Sequence, residues 1–138
     1  MHILFAGGGT AGHINPALAI AGYIKQKHPD AVISYIGTPD KLEATLVPEK
    51  GYAFYPIKVS GFKRSISVSS LKHNVTAVKQ ALTASVEANK LLRQLKPDVV
   101  IGTGGYVSGP VLKEAAKLKI KTAVHEQNAF PGITNKML

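Results

Sequence analysis

The sequence predicts an α/β fold, a Rossmann-like doubly wound parallel sheet, on three observations. Short apolar runs alternate with longer stretches of helical periodicity, and two glycine-rich loops each follow such a run and precede a helix. The length of 138 residues, 45% of them hydrophobic, suffices for one packed core but not for two domains of ordinary size. In such a fold, ligands sit beyond the carboxyl ends of the strands.

The elements follow in order. His2 to Ala6 is a short apolar run closed by three glycines, a buried strand entering a tight loop. Asn15 and Pro16 read as an N-cap and first-turn proline for a helix whose apolar Ala17, Ile20, Ala21 and Ile24 recur until His28-Pro29. Val32 to Ile36 gives the second strand, and the first βαβ unit is complete. Asp40 with Glu43 resembles a capping box for a short helix ending before Pro48, and Phe54 to Val59 supplies a third strand. A long helix fits Leu71 to Leu95, where Leu71, Val75, Val78, Leu82, Val86 and Leu92 share a face that is assigned to the core. Pro97 closes it before the strand Val99 to Ile101. A second glycine loop spans 102 to 109. Ser108 caps a helix from about Gly109 to Leu118, and Thr122 to Val124 is a fifth strand leading into His125-Glu126-Gln127-Asn128. The last residues, from Ile133, read as a helical turn whose continuation lies beyond Leu138, so a truncated chain is expected.

Composition removes several classes of function. No run approaches the roughly 18 to 20 apolar residues that cross a bilayer, and Met1-His2-Ile3 lacks the basic flank of a secretory signal, so a cytoplasmic location is expected. The absence of cysteine excludes thiol nucleophiles, disulfides and cysteine-ligated metals. The net charge of +9 is uneven, +1 in residues 1 to 60 and +8 in residues 61 to 138. Such an asymmetry suits an anionic membrane surface, a phosphorylated substrate or nucleic acid, or serves solubility alone.

Gly7-Gly8-Gly9-Thr10-Ala11-Gly12 satisfies G-x-G-x-x-G between a strand and a helix, where backbone N–H groups and the helix dipole meet a phosphate. A dinucleotide site also needs an acidic residue at the end of the second strand; that strand ends Tyr35-Ile36-Gly37-Thr38, with no carboxylate before Asp40. His13 follows the loop at the ligand edge. It is either a structural or solvated imidazole or, with an ordinary pKa of about 6.5, a base for a sugar hydroxyl; its position favours the base.

Gly102-Thr103-Gly104-Gly105-Tyr106-Val107-Ser108-Gly109-Pro110 repeats the strand, glycine turn and helix N-terminus, and two anion cradles on one edge suggest a diphosphate. With residues 7 to 16, Pro97 to Gly102 and His125 to Asn128, the chain resembles the MurG family of N-acetylglucosaminyltransferases from Leu4 to Lys136. The resemblance implies the N-terminal, acceptor-side half of a two-domain GT-B enzyme, with a separate donor-binding domain absent from these residues. The implied reaction transfers N-acetylglucosamine from UDP-N-acetylglucosamine, with inversion, to the C4 hydroxyl of N-acetylmuramic acid in undecaprenyl-diphosphate-linked lipid I, giving lipid II.

By the same resemblance His13 matches the general base, while Thr10, Ala11, Gly12 and Asn128 match positions that approach the donor. Gly9, Gly104, Gly105, Tyr106, Ser108 and Gly109 match the acceptor-diphosphate loops, and His125, Glu126 and Asn135 match polar positions without individual roles. Ala11 departs from the glycine found in many members; its methyl is tolerated if φ there is negative. Glu126 has two readings, an orienting partner for His13 or a sugar ligand on one side and a satisfied buried carboxylate on the other. No cofactor and no obligatory metal are expected, helix dipoles taking the place of a divalent ion.

Residues 61 to 80 carry Lys63, Arg64, Lys72 and Lys79 and no acid, interleaved with Phe62, Ile66, Val68 and Leu71. The loop at Phe62, Lys63, Arg64 and Ile66, with Lys72, is expected to meet an anionic membrane, each cation contributing about 1 kcal/mol. A peripheral place on the cytoplasmic face of the bacterial inner membrane follows. Nucleic acid is not an expected partner, since no aromatic interleaving or binding motif accompanies the charge. The rival reading is a non-catalytic membrane-anchoring subunit of a two-chain transferase.

Overall fold

The computed structural model describes residues 1–59 and 68–136. Its elements are β1 (His2–Gly7), α1 (Ala11–Lys27), β2 (Val32–Gly37), α2 (Glu43–Glu49), β3 (Ala53–Pro56), α3 (Val68–Leu95), β4 (Val99–Gly104), α4 (Ser108–Lys117), β5 (Lys121–Val124) and α5 (Ile133–Lys136). The strands form one parallel sheet in the order β3-β2-β1-β4-β5. Successive crossovers run one way from β1 to β3 and the other way from β4 to β5, so the switch point lies between β1 and β4. The crevice above that point is where such sheets bind ligands.

Side-chain alternation along the strands divides the core in two. Ile3 and Phe5 of β1 pack with Ala17 and Ala21 of α1, Ile33 and Tyr35 of β2 and Val47 of α2. Leu4 and Ala6 pack on the opposite face with Ala84, Ala88 and Leu92 of α3 and Val111, Leu112 and Ala115 of α4. Phe5 and Leu4 are fully enclosed, and each such side chain contributes roughly 1.5–3 kcal/mol of apolar burial.

Pairing of β1 with β4 runs from Ile3↔Val99 to Ala6↔Gly102 and then slips, Gly7 facing Gly104. Thr103 is the residue passed over. A local irregularity of this kind re-aims the backbone at the end of a strand, here at the crevice.

Several boundaries differ from the sequence reading. The first helix begins at Ala11, four residues before Asn15, because the Thr10 carbonyl already accepts the N–H groups of His13 (3.0 Å) and Ile14 (3.2 Å). Pro16 therefore lies inside α1, where its missing N–H leaves the Gly12 carbonyl without an intrahelical donor. The second helix includes Pro48, and Glu43 forms no capping box because its carboxylate turns toward the first glycine loop. The third strand leaves the sheet after Pro56; the Ile57 N–H still reaches the Gly37 carbonyl at 2.8 Å.

The core face of α3 is only partly the one the large apolar residues suggest: Leu92 turns inward as expected, Leu82 and Val86 do not, and the side chains of Leu71, Val75 and Val78 lie outside the described residues. Ala84, Ala88 and Leu92 are buried, whereas Leu82 and Val86 are 65% and 71% exposed. Small alanines let the helix approach α4 closely, and that contact, not side-chain size, sets its rotation.

Candidate functional site

Because every strand is parallel, the segments after β1, β2, β4 and β5 emerge on one edge. Two shallow depressions lie at the other, amino edge, one lined by Met1, Lys27, His28 and Asp30, the other by Leu92, Arg93, Lys96 and Ile120. Neither borders the glycine loops, and neither holds a side chain positioned by a buried partner.

At the carboxyl edge the two glycine loops touch. The Gly8 N–H donates to the Gly104 carbonyl at 3.3 Å, and a Cβ on Gly105 would collide with the Gly8 carbonyl. Gly104 (φ 105°) and Gly105 (φ 83°) both require the left-handed region, and a Cβ on Gly104 would come within 2.5 and 2.7 Å of the His13 ring. Gly104 thus makes room for the imidazole.

His13 sits in the first turn of α1 and is half-buried. Its Nδ1 lies 3.1 Å from the Thr103 carbonyl, the group freed by the β4 slip, and 2.7 Å from the side-chain amide of Gln127. Nε2 has no hydrogen-bond partner among the described residues and is not enclosed. A carbonyl only accepts, so the Thr103 contact places the proton on Nδ1 and leaves the Nε2 lone pair available.

Thr10, Ala11 and Gly12 are exposed at the mouth of the crevice. Thr10 is extended (φ −145°, ψ 153°), and Ala11 is the first residue of α1 with a negative φ, so its methyl is accommodated there. The Gly9 N–H faces inward, donating to the Glu43 carboxylate at 3.1 and 3.3 Å. Glu43 is wholly buried and also accepts the Thr38 N–H (3.0 Å) and the Thr38 hydroxyl. A resident carboxylate under the first loop competes with any anionic ligand for that N–H, so Gly9 is not a free phosphate donor in this structure.

The second loop is likewise partly committed internally. Ser108 is fully buried; its hydroxyl donates to the Ala6 carbonyl at 2.6 Å, lies 2.9 Å from the Gly104 carbonyl and accepts the Gly104 N–H at 3.2 Å. It does not cap α4, whose flanking Val107 is αR. Tyr106, 59% exposed, and Gly105 remain at the surface of the crevice, while Gly109 packs near Thr134 of α5.

Glu126 does not orient His13. One of its oxygens accepts the Asn128 N–H and side-chain amide, both at 2.9 Å; the other accepts the Gly132 N–H (3.0 Å) and the Asn135 amide (2.9 Å). The Asn128 and Gly132 N–H groups lead in pulling its carboxyl down from 4.5 to about 2, outweighing a smaller opposing desolvation. The carboxylate therefore ties the segment from 126 to 135 into one loop and holds Asn128 with its side-chain oxygen unclaimed. His125 anchors the same loop through its N–H to the Gly102 carbonyl (2.8 Å), and its own carbonyl lies 3.4 Å from the Asn135 amide.

Beneath Gly7, the hydroxyls of Tyr35 and Thr103 are buried and outside hydrogen-bonding geometry. Burial pushes the Tyr35 phenol well up; the Thr103 hydroxyl opposes it, and the nearby Glu43 charge adds a smaller upward push. It stays neutral at any physiological pH.

The expected membrane residues Phe62, Lys63, Arg64 and Ile66 lie outside the described residues, and Lys72 falls within α3. Among the described residues no group of three or more His, Asp or Glu could hold a metal ion, and no helix is long and apolar enough to cross a membrane. The sequence reading missed Glu43, Thr103 and Gln127. Glu43 had one legible signal, a glutamate just after the β2 turn that faces two glycines.

Residues 3–138 match the model of the glycosyltransferase family 28 N-terminal domain. A curated relative from Acetivibrio thermocellus, named UDP-N-acetylglucosamine--N-acetylmuramyl-(pentapeptide) pyrophosphoryl-undecaprenol N-acetylglucosamine transferase, is 56% identical over the whole chain, and one of the same name from Ruminiclostridium cellulolyticum is 55% identical. The chain covers 36% and 37% of those proteins, a little over a third of their length. Among solved structures, Acinetobacter baumannii MurG superposes with a TM-score of 0.82 at 34% identity, over 99% of this chain and 38% of that one. The sheet, its two glycine loops and the matched residues together place the chain in the family of glycosyltransferase family 28 N-terminal domains.

Proposed function

We propose that the chain is the acceptor-side domain of an inverting transferase that moves N-acetylglucosamine from UDP-N-acetylglucosamine to the C4 hydroxyl of lipid I. One observation carries this reading: His13 stands at the switch-point crevice with Nδ1 held by the Thr103 carbonyl and Nε2 without a partner among the described residues. The names of the relatives at 56% and 55% identity support the substrate pair.

In the proposed step Nε2 takes the proton from the C4 hydroxyl, the hydroxyl oxygen bonds to the anomeric carbon from the face opposite the leaving group, and the bond from that carbon to the diphosphate breaks with its electrons on UDP. Base catalysis of this kind is typically worth roughly 10² to 10⁴ in rate. In this reading Thr10, Ala11, Gly12 and the side-chain oxygen of Asn128 would contact the donor, while Tyr106, Gly105 and Gly109 would contact the acceptor diphosphate. Most donor contacts would come from the remaining two thirds of a protein as long as the relatives, so the 138 residues alone should transfer negligibly.

The acceptor is a membrane lipid, and the +8 charge of residues 61–138 with the exposed Leu82 and Val86 of α3 supports docking on an anionic bilayer at its cytoplasmic face. Replacing His13 by Ala in the full-length protein should lower turnover at least tenfold, assayed with UDP-N-acetylglucosamine and a lipid I analogue, without changing the fold by circular dichroism. Unchanged turnover removes His13 as the base.

A further inference from the structure

Gln127 has no role in the readings above, yet its side-chain amide is the nearest polar group to His13, 2.7 Å from Nδ1. Nδ1 is also 3.1 Å from the Thr103 carbonyl. These two contacts make opposite demands if the amide nitrogen is the atom at 2.7 Å: the carbonyl needs a proton on Nδ1, and the amide N–H needs a lone pair there. In that orientation the Gln127 oxygen is also buried without any partner. Turning the carboxamide by half a revolution removes the conflict at Nδ1, because nitrogen and oxygen exchange places and the oxygen accepts from Nδ1–H.

We propose that Gln127 is a positioning residue that, with the Thr103 carbonyl, fixes His13 in the Nδ1–H tautomer and so makes Nε2 its sole basic nitrogen. This rests on the reading of His13 as the base. The alternative tautomer, with the proton on Nε2, would set the Nδ1 lone pair against the Thr103 carbonyl oxygen and have no lone pair for the substrate. The Nδ1–H tautomer satisfies two acceptors and keeps both when Nε2 gains the substrate proton, since neither contact breaks and the new positive charge faces two carbonyl dipoles. The arrangement performs with two neutral oxygens what a carboxylate does in a histidine–carboxylate pair. Glu126, the neighbouring acid, is fully engaged by Asn128, Gly132 and Asn135 and does not take this part.

The test uses the full-length protein labelled with ¹⁵N-histidine, in wild-type, Gln127→Leu and Gln127→Glu forms. In the wild type the neutral His13 should give the nitrogen shifts of an Nδ1–H ring. Gln127→Leu should give a mixture of tautomers and lower kcat about tenfold, the rate equivalent of one lost hydrogen bond, with the KM for UDP-N-acetylglucosamine within about twofold. Gln127→Glu retains an acceptor and should restore the Nδ1–H signal and bring kcat to within about threefold of wild type; it also tests the idea if the leucine variant fails to fold. A wild-type ring protonated on Nε2, or a leucine variant with unchanged tautomer and rate, overturns the proposal. A shifted tautomer with an unchanged rate supports the positioning role and removes His13 as the base, so the two ideas fail separately.

Discussion

The carboxylate of Glu43 accepts the N–H of Gly9, 34 residues earlier in the chain, at 3.1 Å, and with it the backbone of the first glycine loop is pinned from below. A loop that would otherwise be a concavity of free N–H groups is pre-shaped by an internal anion, with the Thr38 N–H and hydroxyl as its other donors. Replacing Glu43 by Gln puts an amide N–H against the Gly9 and Thr38 backbone N–H groups, which only donate, and should cost about 1–3 kcal/mol of stability by urea unfolding. Glu43→Ala should cost more, since it leaves buried donors unpaired and a cavity. A glutamine variant as stable as the parent would show that the loop holds its shape without this anion.

Two left-handed glycines of the crevice, Gly9 and Gly104, should differ sharply when changed to alanine. Gly9 (φ 86°) has open space around its missing Cβ and should lose only about 1 kcal/mol to backbone strain. Gly104 carries a similar strain and also a collision with the His13 ring, so Gly104→Ala should lose turnover as well as stability. Parallel melting and turnover measurements on the two variants separate the cases, and equal activity losses would deny Gly104 its role as the ring's backing.

Ser108→Ala distinguishes a strut from a ligand. The hydroxyl joins the end of β1 to the second loop through the Ala6 carbonyl, so its removal should destabilise the fold by about 1–3 kcal/mol. The KM for the lipid acceptor should stay within about twofold below the melting transition. A large KM change without destabilisation would return Ser108 to the diphosphate site.

Glu126 predicts an acid-labile loop. Its folded pKa of about 2 lies below the ordinary 4.5, so its contribution is fully present above pH 4.5 and fades as pH falls toward 2. Amide exchange at Asn128 and Gly132 should remain slow at pH 5 and quicken relative to the core amides of β1 between pH 4.5 and 2. Glu126→Gln should show the quickened exchange already at neutral pH; protected amides in that variant would refute the tie.

On α3, Leu82→Asp and Val86→Asp should each change stability by less than about 0.5 kcal/mol, because both side chains are in solvent. Leu92→Ala, in the core, should cost about 2–5 kcal/mol. If this face meets the membrane, the aspartate pair should also weaken co-sedimentation with anionic vesicles several-fold, and undiminished binding would place the contact elsewhere.

The alternation of elements was legible because buried parallel strands and amphipathic helices write different periods into the sequence, and the carboxyl-edge placement of His13 and both glycine loops followed from it. The start of α1 was not, since Asn15-Pro16 is a good capping pair wherever it occurs and nothing local reveals that the Thr10 carbonyl has already begun the helix. The rotation of α3 misled for a related reason: Leu82 and Val86 mark an apolar stripe, but Ala84 and Ala88 mark the close approach, and only the neighbouring helix decides which faces inward. Gln127 and Thr103 were invisible because their part depends on a slip in strand pairing and on contacts spanning 114 and 90 positions.

That slip makes the length of β4 an operating parameter of the site. A sheet with Thr103 in ordinary register would have one more ladder pair and a smoother centre, yet its carbonyl would point along the strand pairing and away from the imidazole. Shortening β4 by one residue should therefore give a protein that melts no lower and transfers far more slowly, a case in which the more regular fold is the worse catalyst.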